Sequence, residues 1–122
     1  ANVVIADLDG ATGAAESKRL RESGFRVDSI ATDITSQTDV TAMVNYTLKL
    51  HGRVDILVNN AGIQHTARVE DFPLNKWDAI IAISLSSAFH TTRLVLPEMK
   101  KKNCRKLFPT VSTLIPLMTT NV

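Results

Sequence analysis

Val54-Asp55-Ile56-Leu57-Val58-Asn59-Asn60-Ala61-Gly62 is the stretch on which the fold turns. Val54, Ile56, Leu57 and Val58 form a short, nearly continuous apolar run. Such a run fits a strand buried on both faces, the kind found in parallel sheets covered by helices. It ends in Asn59-Asn60-Ala61-Gly62, small and polar residues that let backbone come close to a flat ligand. In open α/β sheets, ligands bind at the carboxyl ends of strands. Residues 60–62 are therefore candidates to face a ligand.

Working outward, the same rhythm recurs on both sides. Asn2-Val3-Val4-Ile5-Ala6 reads as a buried strand ending at Asp7. Residues 12–23 have helical composition and close at Gly24, a helix-end glycine. Residues 25–31 form a weaker strand, interrupted by Arg26 and Asp28 and followed by Asp33. Ser36 and Asp39 have helix-start spacing, Val40, Met43, Val44 and Leu48 follow a helical stripe, and Gly52 ends it. Beyond the turn, 63–73 reads as a loop and 75–102 as one long helix that Pro97 should kink or end. A last strand is expected at 106–112. The order β-α-β-α-β-α-β predicts an α/β fold: a partial Rossmann, doubly wound parallel sheet of about four strands with helices on both faces.

Composition narrows the function classes. At 122 residues and 44% hydrophobic, the chain can bury one core. A net charge of +2 argues for no particular partner. The basic run Lys100, Lys101, Lys102, Arg105 and Lys106 reads as a solvated helix end rather than a nucleic-acid or lipid patch. One cysteine, Cys104, excludes an intrachain disulfide and fits a reducing compartment. No signal peptide and no apolar run of about 18 residues are read, so a soluble, intracellular protein is expected, cytoplasmic before mitochondrial matrix, with no membrane and no metal.

The Asn-Asn-Ala-Gly tetrapeptide after a strand resembles that of the short-chain dehydrogenase/reductase family. The resemblance extends over nearly the whole chain. Gly62-Ile63-Gln64-His65-Thr66-Ala67, Glu70-Asp71-Phe72-Pro73, Lys76-Trp77-Asp78-Ala79-Ile80 and Leu85-Ser86-Ser87-Ala88-Phe89-His90 are similar to the D-3-hydroxybutyrate dehydrogenases within it. The resemblance implies an oxidoreductase acting on the CH–OH group of a small 3-hydroxy acid with NAD. It assigns Asp7 to the adenosine ribose, where a carboxylate repels a 2′-phosphate and so favours NAD over NADP. Asp33 and Ile34 would meet the adenine, Asn60, Ala61 and Gly62 would line the cofactor, and Gln64 would hold the substrate carboxylate. His65 reads as a packing or surface histidine.

The catalytic complement is incomplete. Ser112 matches the family's catalytic serine, and Ser84 stands where the family has an asparagine that holds a relay water. The Tyr-x-x-x-Lys pair is absent, since Tyr46 is the single tyrosine and Leu50 follows at that spacing. Gly10-Ala11-Thr12-Gly13 lacks the third glycine of a pyrophosphate-binding turn. Pro109 replaces an asparagine in the strand before Ser112, and Arg105 replaces a glycine. The expectation is an internal fragment: 1–112 an incomplete NAD-binding domain, 113–122 a divergent tail, cofactor binding weak or lost, and no activity from this chain alone. Two other readings stand beside it. One is a non-catalytic remnant that pairs with other subunits, a homo-oligomer formed through the long helix near Asn75. The other is a haloacid-dehalogenase-like phosphatase, suggested by Val4-Ile5-Ala6-Asp7-Leu8-Asp9-Gly10, with Asp7 as nucleophile, Asp9 as acid/base and Mg²⁺ on the phosphate.

Overall fold

The computed structural model describes residues 1–101 and, in their backbone, residues 106–109. The chain divides into two compact units, Ala1–Val54 and Asp55–Val122.

The first unit runs β1 (Asn2–Asp7), α1 (Gly10–Glu22), β2 (Arg26–Ala31), α2 (Gln37–His51). β1 pairs parallel with β2, from Asn2 opposite Arg26 to Asp7 opposite Ala31. Parallel neighbours cannot be joined by a tight hairpin, so a helix must cross between them. α1 is that crossover, and it packs on both strands. It starts at Gly10 rather than near residue 12 because Asp9 caps it, accepting hydrogen bonds from the Ala11 and Thr12 N–H groups. Arg19 and Arg21 occupy its last turn, where cations offset the exposed carbonyls. α2 begins at Ser36, whose hydroxyl accepts from the Asp39 N–H. Val40, Met43 and Val44 are buried at the expected helical spacing. Gly24 and Gly52 follow the two helices at φ 89° and 69°, left-handed positions that favour glycine.

The second unit runs β3 (Ile56–Asn59), a 3₁₀ turn (Val69–Asp71), α3 (Leu74–Ile81), a π-helical turn (Ala82–Ser86), α4 (Ser87–Lys101) and β4 (Lys106–Pro109). β3 pairs parallel with β4, Ile56 opposite Lys106 and Asn59 opposite Pro109. Pro109 therefore occupies the last rung of the ladder, where its missing N–H costs least. The expected strand residues 110–112 lie outside the described residues.

Two expectations concern the long helix. It runs to Lys101, close to the expected 102, so Pro97 lies inside α4 and does not end it. The proline removes one helical hydrogen bond, but Val95 and Met99, 2% and 0% exposed, hold the helix on either side of it. The stretch Leu74–Lys101, 28 residues, is also long and apolar enough to cross a membrane by length and composition, contrary to the sequence reading. A mostly buried core helix passes the same test; here 22% of the most apolar window is buried, and α4 packs against β3.

Burial is uneven within this unit. Ile80, Val95 and Met99 are enclosed, whereas Trp77, Leu85 and Phe89 are 51%, 56% and 62% exposed. Met99→Ala should therefore cost about 2–5 kcal/mol of stability, the usual range for emptying an enclosed site. Phe89→Ala should stay within about 0.5 kcal/mol in the monomeric chain. Denaturant unfolding followed by Trp77 fluorescence checks both, and equal losses would show that α4 is not packed as described.

Candidate functional site

Parallel pairing brings the first group of residues together. β1 and β2 run the same way, so Asp7 and the Thr32-Asp33-Ile34 segment emerge at one carboxyl edge. The Thr32 N–H donates to the Asp7 carbonyl at 2.8 Å, extending the ladder past the last strand residue. Asp7 is exposed, and the Asp9 N–H donates to its Oδ1 at 2.9 Å. Among the described hydrogen bonds Oδ2 is not engaged, so this exposed carboxylate keeps an oxygen available at the carboxyl edge of the two strands.

Asp33 is more constrained. Its Oδ1 accepts from the Thr35 N–H at 2.8 Å and the Thr35 hydroxyl at 2.6 Å. Its own N–H donates to Asp39 Oδ2 at 3.1 Å. The Thr35 hydroxyl, then the Thr35 amide, hold the Asp33 carboxyl below the usual carboxylate range. Ile34 beside it is half-buried. Asp9, required as acid/base by the phosphatase reading, is occupied otherwise. Its two oxygens accept from the Ala11 and Thr12 amides and from the Thr12 hydroxyl, and the Thr12 bonds lower its pKa. These bonds make it a helix cap.

In the second unit, the turn 60–62 follows β3 directly and lies outside any helix or strand, with Asn60, Ala61 and Gly62 all exposed. Asn59 is half-buried, and the Thr91 hydroxyl of α4 donates to its Oδ1 at 2.6 Å. The sequence gives no sign of this bond, which spans 32 residues. Gln64 is exposed on the following loop. His65 next to it is half-buried, edge-on to Phe72 at 5.4 Å between centroids, and Phe72 is edge-on to Trp77 at 6.4 Å. His65 is therefore a packing histidine that ties the loop to the start of α3.

Ser84 sits in the middle of the π turn, and its hydroxyl is buried without a hydrogen-bond partner among the described residues. A buried polar group left unpaired is costly, and π turns recur at functional positions. Tyr46 lies half-buried on α2. Ser112, Cys104 and Arg105 lie outside the described residues, as does the tail 113–122.

Residues 1–112 match the short chain dehydrogenase family. The chain is 44% identical over 113 residues to a D-beta-hydroxybutyrate dehydrogenase of Cupriavidus necator, covering 93% of this chain and 44% of that protein. It is 49% identical over 70 residues to the D-beta-hydroxybutyrate dehydrogenase of Rhizobium meliloti, 57% of this chain and 27% of that one. In structure it is similar to a gluconate 5-dehydrogenase from Burkholderia cenocepacia in complex with NADP and tartrate. The TM-score is 0.81 at 31% identity over 88% of this chain and 42% of the other. A 7α-hydroxysteroid dehydrogenase complexed with NADH gives 0.75 at 30% identity over 83% and 39%. The chain spans less than half the length of these relatives.

The hydrogen bonds at the first edge carry a pH signature. Asp9 and Asp33 have folded-state pKa values below their unfolded ones. Their contribution to stability is therefore complete above the unfolded carboxylate value and is lost as pH falls through the lowered folded values. Carboxyl NMR titration should find both groups still ionised at pH values where an ordinary aspartate in an unfolded chain has already taken up its proton. Thr35→Val should return Asp33 toward the ordinary value and leave Asp9 unmoved; a joint response of both would mean they share one network.

Proposed function

Because the chain belongs to the short-chain dehydrogenase/reductase family, we propose that it carries cofactor- and substrate-binding residues of an NAD-dependent oxidoreductase acting on the CH–OH group of a small 3-hydroxy acid such as D-3-hydroxybutyrate. The observation that carries this is the shared carboxyl edge of β1 and β2, where the available oxygen of Asp7 stands beside the Asp33–Ile34 segment. The residues fit the adenosine of a dinucleotide. Asp7 accepts hydrogen bonds from ribose hydroxyls, and its charge disfavours a 2′-phosphate. Asp33 and Ile34 meet the adenine, and Asn60, Ala61 and Gly62 line the cofactor with backbone. The cofactor, when bound, supplies the hydride chemistry.

The remaining roles follow the same family. Gln64 holds the substrate carboxylate through its amide. Ser112 binds the reacting oxygen. Ser84 occupies the water-relay position, and its hydroxyl, unpartnered among the described residues, is a shorter substitute for an amide side chain. The substrate class is supported by the similarity to D-beta-hydroxybutyrate dehydrogenases. A pairing role with a second copy through the long helix is supported by the exposed Trp77, Leu85 and Phe89.

The cofactor reading is tested on the chain itself. Adenosine 5′-monophosphate should shift the amide resonances of Asp7, Asp9 and Ile34, while adenosine 2′-monophosphate should bind at least tenfold more weakly. Asp7→Ala should abolish the difference. Equal binding of the two nucleotides by the unsubstituted chain would overturn the NAD assignment.

The chain alone should form no detectable NADH from NAD and D-3-hydroxybutyrate. Its sequence holds no Tyr-x-x-x-Lys pair, and a missing acid–base group typically costs about 100–10,000-fold in rate. Turnover above background that Ser112→Ala abolishes would show that another group in this chain serves as the base.

A further inference from the structure

We propose that Thr91 is a positioning residue for the 60–62 turn. Through its bond to Asn59, it fixes the direction in which the backbone leaves β3. The inference deepens the cofactor reading and rests on it for its functional meaning.

The geometry is specific. Thr91 is 1% exposed on α4, so water does not compete for its hydroxyl. Three oxygens surround that hydroxyl: Asn59 Oδ1 at 2.6 Å, the Ser87 carbonyl at 3.0 Å and the Ala88 carbonyl at 3.1 Å. A hydroxyl carries one proton. A helical threonine ordinarily gives it to a carbonyl of its own helix, which would satisfy it with no partner elsewhere. Here the shortest contact goes instead to Asn59. The bond is side chain to side chain and ties the last residue of β3 to the second turn of α4.

Its position gives it consequence. Asn59 is the last residue held by the β3–β4 ladder. The next three residues are exposed and belong to no helix or strand. The direction of Asn60-Ala61-Gly62 is therefore set at Asn59. A backbone surface meant to lie against a flat ligand gains from being held before the ligand arrives, because less ordering remains to be done on binding.

Three forms of the 122-residue chain test this by ¹⁵N relaxation: unsubstituted, Thr91→Val and Thr91→Ser. Thr91→Val keeps the shape and removes the hydroxyl; Thr91→Ser keeps the hydroxyl. In the unsubstituted chain the order parameters of Asn60, Ala61 and Gly62 should be near those of rigid backbone, about 0.85. In Thr91→Val they should fall below about 0.6, a flexible value, while Leu57 and Leu94 stay rigid. Thr91→Ser should restore them. Should Thr91→Val not fold, Asn59→Ala removes the same bond from the other end and should loosen the same three residues. Unchanged values at 60–62, or an equal loss across β3 and α4, would overturn the proposal. An NAD titration of the same samples separately reads whether the turn is a cofactor seat. A rigid turn that loosens in Thr91→Val but never meets NAD would keep the positioning role and remove the cofactor assignment.

Discussion

Parallel strand pairing is the constraint from which the rest follows. A parallel neighbour can be reached only by a crossover, so β1, β2 and β3 are each followed by a helix or by a loop leading to one. Parallel pairing also makes all strands of a pair end at the same edge. The side chains proposed to touch a ligand, Asp7, Asp33 and Asn60, come at or just after such ends. Caps and ligand residues then compete for the same few positions. Asp7 gives one oxygen to the Asp9 amide and keeps the other available, and Asp33 uses one oxygen to fold its own turn. In both cases a carboxylate serves local structure without being used up by it.

A strand in a parallel sheet normally has both faces covered. In β3, Ile56 and Val58 are 50% and 57% exposed, and the helix that follows presents Trp77, Leu85 and Phe89. The apolar content that made these segments legible as core is thus only partly enclosed within the chain. This fits a sequence that spans less than half of its relatives. It also explains why the residues that do stabilise the second unit are few and sharply buried: Ile80, Val95 and Met99.

Much of this was legible in the sequence because its signals are local. The Asn-Asn-Ala-Gly turn, the Ser36 cap and the closing glycines at 24 and 52 each act within a few residues, and each stands where it was expected. What escaped was either an unexpected use of a residue or a contact over distance. Asp9 drew attention as a chemical group and proved to be a helix cap, although the spacing to Thr12 was available to suggest it. Pro97 was open to either a kink or an end by propensity, and packing of its neighbours carries the helix past it. The Thr91–Asn59 bond has no local signature at all. The π turn is equally hidden, because Ile80, Ile81, Ile83 and Leu85 are apolar on all sides and fix no helical period.

That π turn also takes up length. Residues 82–86 need one residue more than an α-helix to come round, so the extra residue is absorbed there and α4 keeps nearly the phase of a plain helix one residue shorter. Deleting one residue in the turn, with the helix closing as ordinary α, would leave Thr91 on the side of Asn59 and Val95 and Met99 on the side of the core. A deletion that the turn did not absorb would swing all three by about 100°. The segment is where this helix can change length at least cost to its packing.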